Sequence, residues 1–208
     1  MATYSVISLK GGVSKSSTTV QLAVWIFNQG FSVAVVDNDP QTSVSDWLSN
    51  HPSDIKVIKT KSHQEMETAV YELQEQFDFV LIDNSAGDVL SMNITMAICD
   101  HILIPVLPSV VDINATLDTI TELKLVRKRT KSKIPCTLFL NQITKGSNIA
   151  GKVEELLNDI EDVSLSPVQI PHTVKVRELS GNSASIFDDK KNKNIADLYD
   201  QLFDSTLT

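Results

Sequence analysis

The sequence predicts one α/β domain built on a mainly parallel sheet with helices on both faces, and three observations predict it. Short apolar runs recur along nearly the whole chain, at residues 4–9, 33–37, 55–58, 79–83, 102–106, 136–141 and 168–170. Segments with helical patterning separate them, as crossovers between parallel strands require. Several runs lack polar alternation, which is the pattern of strands buried on both faces. With 208 residues and 42% hydrophobic content the chain can bury one sizeable core, and no linker or repeat interrupts it, so residues 1–208 read as a single domain.

The first run leads into Lys10-Gly11-Gly12-Val13-Ser14-Lys15-Ser16, and a helical pattern over residues 16–28 follows, stopped by Gly30. Strand, tight glycine loop and helix in that order form a phosphate-binding loop. The glycines let backbone N–H groups of Gly11, Gly12, Val13 and Ser14 close around an anion, and the helix start at Ser16 and Ser17 adds positive dipole. Lys15 is placed to neutralise phosphate charge, and the Ser16 hydroxyl to ligate Mg2+. The ordinary pattern has glycine directly before the lysine. Here Ser14 stands there, so a Cβ must fit, which a negative φ would permit, and the expectation is that it is accommodated.

The second run ends in Asp37-Asn38-Asp39-Pro40-Gln41. Carboxylates at the carboxyl end of a parallel strand face the ligand crevice, although the same residues would suit an acidic turn capping the next helix. The fourth run ends at Asp83, and an apolar strand closed by Asp is what a magnesium-bound water needs.

The K-G-G-x-x-K-S arrangement resembles the deviant Walker A box of the ParA/MinD ATPases, the partition and positioning proteins. That resemblance implies an ATP- and Mg2+-dependent homodimer in which Lys10 reaches across a sandwich interface to the partner's nucleotide. It also implies that Asp39 orients the attacking water and that Asp37 supports the magnesium shell. Lys10, Lys15 and Asp39 are therefore the expected catalytic residues, and Ser16, Asp37 and Asp83 the expected metal residues. After Asp83 the family usually has a Thr-Pro-Pro-Gly type turn; this chain has Asn84-Ser85-Ala86-Gly87, which keeps the glycine and lacks the stiffening prolines. Asn141, at the end of the sixth run, stands where the family reads adenine, while by chemistry alone it is as well a turn residue.

Net charge is −8, from 26 acidic against 18 basic residues, which by itself disfavours nucleic acid. The distribution is uneven. Lys124, Arg127, Lys128, Arg129, Lys131 and Lys133 follow one another with no acid among them, and further cations occur at Lys145, Lys152, Lys175, Arg177, Lys190, Lys191 and Lys193. The first cluster suits a solvated helix end, or a sequence-independent contact to DNA phosphates completed when two subunits combine their patches on one face. The resemblance favours non-specific DNA, with a centromere-binding or cargo adaptor protein as trigger of slow hydrolysis.

Only nine residues precede Lys10, too few for the helix-turn-helix extension of larger partition ATPases. No secretory leader and no membrane-length apolar run is present, and the last helical stretch, residues 195–203, carries Asp197, Asp200 and Asp204 rather than a basic amphipathic face. The expectation is a cytoplasmic, nucleoid-associated protein without a membrane partner. Cys99 and Cys136 sit in apolar contexts unlike the exposed, Gly-flanked loops that hold an iron–sulfur cluster between subunits. The alternatives are the same ATPase positioning a protein organelle or cluster, a metabolic P-loop phosphotransfer enzyme, and a passive filament-forming scaffold.

Overall fold

In the computed structural model, residues 1–144, 149–158 and 160–207 are described. In chain order they form β1 (Ala2–Val6), α1 (Lys15–Asn28), β2 (Val33–Asn38), α2 (Ser43–Leu48), β3 (Lys56–Lys59), α3 (His63–Gln74), β4 (Phe79–Asn84) and α4 (Val89–Ile98). There follow β5 (His101–Val106), α5 (Val110–Thr130), β6 (Cys136–Ile143), α6 (Ile149–Asn158), β7 (Ser164–Pro171), α7 (Lys175–Ser180), a 3₁₀ turn (Lys190–Asn192) and α8 (Lys193–Leu207). The described strands make one seven-stranded sheet in the order β3-β2-β4-β1-β5-β6-β7, and every pairing is parallel.

Period-2 alternation explains why both faces are covered. Along β2, Val33 and Val35 pack with α1, α2 and α8, whereas Ala34 and Val36 pack with α3, α4 and α5. Leu81 and Leu103 join the first face; Val80, Ile82, Ile102 and Ile104 join the second. A strand buried on both sides has no reason to alternate polar residues, so its sequence reads as a continuous apolar run.

Two strands depart from expectation. β1 runs Ala2–Val6 rather than over 4–9, because its ladder to β4 begins at Ala2 opposite Phe79 and its ladder to β5 ends at Val6 opposite Leu103. Ile7 and Leu9 are apolar for a different reason: they pack beside the helices on the α3–α5 face as the chain turns into the glycine loop. β7 is longer than the expected 168–170. It is an edge strand paired only with β6 among the described residues, and an edge tolerates Pro167, Ser164 and Ser166, which hide it from an apolar scan.

The order of strands places the site. The connection from β1 passes beyond β4 to β2 on one side, and the connection from β4 crosses β1 to β5 on the other. A crevice forms at the carboxyl ends of strands where connections diverge in this way. The loops after β1, β2 and β4 all open there.

Candidate nucleotide site

The loop after β1 borders a cleft of about 540 Å³ lined by Gly11, Gly12, Ser14, Lys15, Ser16, Ser17, Asp39, Trp47 and Ala86, with Ser180 from α7. Gly12 adopts φ +79°, a conformation that strains any residue with a Cβ. Ser14 precedes α1 without donating or accepting a side-chain cap bond, so the first-turn N–H groups are not capped by it. Free amides at a helix start, beside a lysine, are what an anion needs. Lys15 is only 8% exposed, and its Nζ donates to the Lys10 carbonyl at 3.4 Å. Burial lowers its pKa, opposed by the nearby Asp83 and Asp39 carboxylates. A buried ammonium whose closest partner is a long contact to a carbonyl is poorly solvated, and phosphate oxygens would supply the missing charge.

Ser14 has φ +74°, so the negative φ that would make its Cβ harmless is not what the loop adopts. The left-handed region costs a non-glycine residue about 1 kcal/mol. Contacts from β6 surround it. Gln142 Nε2 donates to Ser14 Oγ at 3.0 Å and to the Gly12 carbonyl at 3.3 Å, and Asn141 Nδ2 donates to the Val13 carbonyl at 3.1 Å. Asn141 is 2% exposed, and its Oδ1 accepts from the Gln142 N–H at 2.9 Å, so its amide holds the loop. Beside these residues lies a second cavity of about 250 Å³, lined also by Pro171, His172, Val176 and Arg177.

Asp83 is fully buried at the end of β4. Its Oδ2 accepts from Ser16 Oγ at 2.8 Å and its Oδ1 from Thr19 Oγ1 at 3.3 Å. Burial raises its pKa to about 7, with the Ser16 hydrogen bond and Lys15 working the other way and Asp37 adding to the rise. Ser16 and Asp83 thus fit a Mg2+ ion, which would take the hydroxyl as ligand and relieve the buried carboxylate. Asp37 points elsewhere. Its Oδ2 accepts from the Ser45 N–H at 2.8 Å and its Oδ1 from the Asp39 N–H at 3.2 Å, so it fixes the turn into α2, and the cleft lining includes Asp39 rather than Asp37.

Lys10 pairs in cis with Asp112, the carboxylate in the first turn of α5, which also contacts the Ser109 hydroxyl. The turn after Asp83, lacking prolines, is held by hydrogen bonds instead. Asn84 Nδ2 donates to Thr95 Oγ1 at 2.7 Å, Ser91 Oγ donates to Asn84 Oδ1 at 2.6 Å, and Asn38 Nδ2 donates to Ser91 Oγ at 2.8 Å. Asn38, Trp47, Asn84, Gln142 and Ser180 were not singled out by sequence. Position beside Asp37, Asp83 or Asn141 was the only hint for three of them.

The basic residues divide. Lys124, Lys128 and Arg129 are exposed at the far end of α5. Arg127 is not free for a partner: its guanidinium donates to the Ile134 carbonyl, through Nε at 3.0 Å and through Nη2, and to the Asp162 carbonyl at 2.8 Å. Lys175 pairs with Glu178 at 2.8 Å, and Arg177 lines the second cavity beside the loop. Lys145 and the side chain of Lys152 lie outside the described residues. Among those residues no helix is long and apolar enough to cross a membrane, and no group of three or more acidic, His or Cys side chains could hold a metal. Cys99 and Cys136 are buried free thiols with pKa values raised by desolvation.

A model of the CobQ/CobB/MinD/ParA nucleotide binding domain matches residues 4–186, and the chain belongs to that family. Maintenance of carboxysome distribution protein A of Halothiobacillus neapolitanus is 34% identical over 146 residues, 67% of this chain and 66% of that protein. The apo McdA structure from Cyanothece matches at TM-score 0.81 and 15% identity, covering all of both chains. A Borrelia burgdorferi plasmid partition protein bound to AMPPNP matches at TM-score 0.74 and 14% identity, covering 98% of this chain and 99% of that one. At such identities the structural matches establish the fold alone, while the nucleotide binding domain assignment rests on the family model.

The Asp83 carboxyl has a folded pKa near 7 against an ordinary 3.8, so the stability it contributes is fully present below about pH 4 and is lost as pH rises through 7. Asp83→Asn should raise the melting temperature of the nucleotide-free protein at pH 7.5, by an amount corresponding to at most about 4 kcal/mol. It should also flatten the wild-type decline between about pH 4 and 7 and remove the Mg2+ dependence of nucleotide binding. Thermal melts across that range check the sign, and an unchanged pH profile would refute it.

Proposed function

We propose that this protein is a ParA-type positioning ATPase. Two ATP-bound subunits close face to face, the closed dimer sits on DNA of any sequence, and a cargo-bound adaptor stimulates slow hydrolysis that releases it. The observation that carries this reading is the placement of the two lysines. Lys15 is buried at its own cradle, whereas Lys10 directs its ammonium away from that cradle to Asp112 and keeps its side chain 35% exposed. A lysine so placed is available to a second nucleotide once it exchanges a carboxylate for a phosphate. ATP is held by Gly11 to Ser17, Mg2+ by Ser16 and Asp83, and Asp39 faces the cleft where an attacking water would lie. Asp37 acts from behind by fixing the turn that carries Asp39.

The DNA contact is assigned to the exposed end of α5. This helix begins at the nucleotide cleft with Asp112 and extends 21 residues, about 30 Å, to Lys128 and Arg129. A dimer closing on the cleft therefore points its two α5 ends outward and apart. In such a dimer the two patches would act as linked sites, and avidity would make DNA affinity follow the dimer.

A second reading of the cargo has its own support. The relative matched over 67% of this chain is named for carboxysome distribution, so a protein body carried through an adaptor is the alternative to a plasmid.

Lys10→Ala should leave ATP affinity within about threefold, since it removes a group that the ground-state cradle does not need, and should abolish ATP-dependent dimers in light scattering. An unchanged ATP dimer would refute the trans role. Asp39→Ala should bind ATP and dimerise yet hydrolyse it at least about tenfold more slowly; a wild-type rate would move the water-orienting role elsewhere. With about four phosphates neutralised, DNA affinity of the ATP form should fall on the order of 10²-fold between about 50 and 200 mM salt. The triple change Lys124→Gln, Lys128→Gln and Arg129→Gln should weaken it and flatten that slope without altering basal hydrolysis. Anisotropy with random duplexes decides, and intact binding by the triple variant would shift the site to Lys190, Lys191 and Lys193.

A further inference from the structure

We propose that Gln142 is a positioning residue for the phosphate loop, holding Ser14 in a left-handed conformation that glycine adopts unaided, so that nucleotide affinity depends on the Ser14–Gln142 pair. The proposal rests on the reading of this loop as a nucleotide site. Its observations are independent of that reading.

Both residues are strained in the same way. Ser14 has φ +74° and Gln142 φ +56°, and neither is glycine, nor Asn or Asp, the residues that adopt this region most readily. Strain of this type persists only where the surroundings over-determine it, and here the two strained residues determine each other. The Gln142 amide donates to Ser14 Oγ at 3.0 Å and to the Gly12 carbonyl at 3.3 Å, so one side chain bridges the two left-handed positions of the loop.

The position of Gln142 is itself built. It lies where the register between β6 and β7 slips, between the pairs Leu140–Gln169 and Ile143–Pro171. An irregularity of this kind re-aims a side chain that regular pleating would send to the other face. Regular alternation from Asn141, whose amide faces the loop, would turn Gln142 away from it. The left-handed residue cancels that turn, and Asn141 and Gln142 both reach the loop, gripping the carbonyls of Val13 and Gly12.

The chemistry follows from the donor count. Loop carbonyls that are held by Nδ2 and Nε2 cannot rotate inward, so the loop amides stay turned toward the anion. Ser14 needs this help because its Cβ disfavours the required φ; a glycine would not. Gln142 also lines the second cavity, so a base entering there touches the residue that shapes the phosphate loop.

The test is a set of variants titrated with mant-ATP and Mg2+, with each fold checked by circular dichroism and thermal melting. Gln142→Met keeps the side-chain length and removes the donor; it should weaken mant-ATP binding roughly 3- to 10-fold. Ser14→Ala keeps the Cβ and removes the acceptor, and should cost a similar factor. Combining them should cost little more than either alone. In a Ser14→Gly background the loss caused by Gln142→Met should shrink to within about twofold, because glycine takes the left-handed conformation unaided. Rescue distinguishes positioning from general destabilisation, because glycine adds no packing. The same cycle in chemical unfolding of the nucleotide-free protein reads the pair without ligand, and should also be non-additive. Equal losses from Gln142→Met in the wild-type and Ser14→Gly backgrounds would overturn the proposal, as would a neutral Gln142→Met in a protein that binds mant-ATP. A wild-type protein that does not bind mant-ATP would overturn the site reading and this proposal with it.

Discussion

Burial of one carboxylate at the end of β4 governs how the rest of the cleft is arranged. Asp83 has no solvent to share its charge, so it is met by two hydroxyls from the first turns of α1, Ser16 and Thr19, with Lys15 close enough to counter it. Those contacts pin the start of α1 over the sheet at the place where the glycine loop must end. The loop therefore has a fixed far anchor. The same contacts leave the protein short of positive charge, since two hydroxyls cannot neutralise a buried carboxylate. A divalent ion would meet that deficit, and binding the ion with nucleotide would relieve a tension that folding leaves in place.

A second constraint joins the loops that follow β2 and β4. Asn38 lies between Asp37 and Asp39, and Asn84 follows Asp83; their side-chain amides meet at 3.2 Å and share Ser91 of α4. Thr60 donates to Asn38 Oδ1 at 2.9 Å from beyond β3, so the network spans the sheet edge and reaches α4 through Ser91 and Thr95. A buried network of amides and hydroxyls is stable when its members are satisfied and costly when one moves alone. The segments that carry Asp39 and Asp83 consequently move together or stay put. Asp88, capping α4 through the Ser91 N–H at 3.0 Å, sets the exposed apolar residues Val89 and Leu90 directly before the network's Ser91.

The fold was legible because its central strands are buried on both faces, and continuous apolar runs mark such strands wherever they occur. The edge was less so: β7 alternates and carries prolines, which a parallel edge strand can accept, and the apolar tail of the first run belongs to packing beyond the ladder rather than to β1. The carboxylates and the two lysines could be found because motif spacing reports loop chemistry directly. Asp37 shows the limit. Its place at a strand end suggested the cleft, and it does lie beside Asp83, but it also accepts from the backbone amides of Asp39 and Ser45 and so fixes the next turn, a contact set by three-dimensional proximity that spacing does not encode. Arg127 differs from its neighbours for the same reason. Within a run of cations it looked like its neighbours, yet only its side chain reaches the carbonyls that close the gap between α5, β6 and β7.

Charge placement along α5 joins these features into one argument. At its first turn the helix carries Asp112, a favourable position for an acid, and this acid pairs with Lys10 of the glycine loop. At its last turn the helix carries Arg127, Lys128 and Arg129, favourable for cations. Both ends thus obey the dipole rule, which accounts for their stability without any function. What the dipole does not require is a lysine from another element at the acidic end, or five exposed cations between Lys124 and Lys133 with no intervening acid at the other. One end faces the nucleotide cleft and the other faces solvent about 30 Å away. With Arg127 fixing the basic end to the loops that enter β6 and β7, the helix is a rigid spacer. A change at the first turn would then reach the basic end only by moving the helix as a whole.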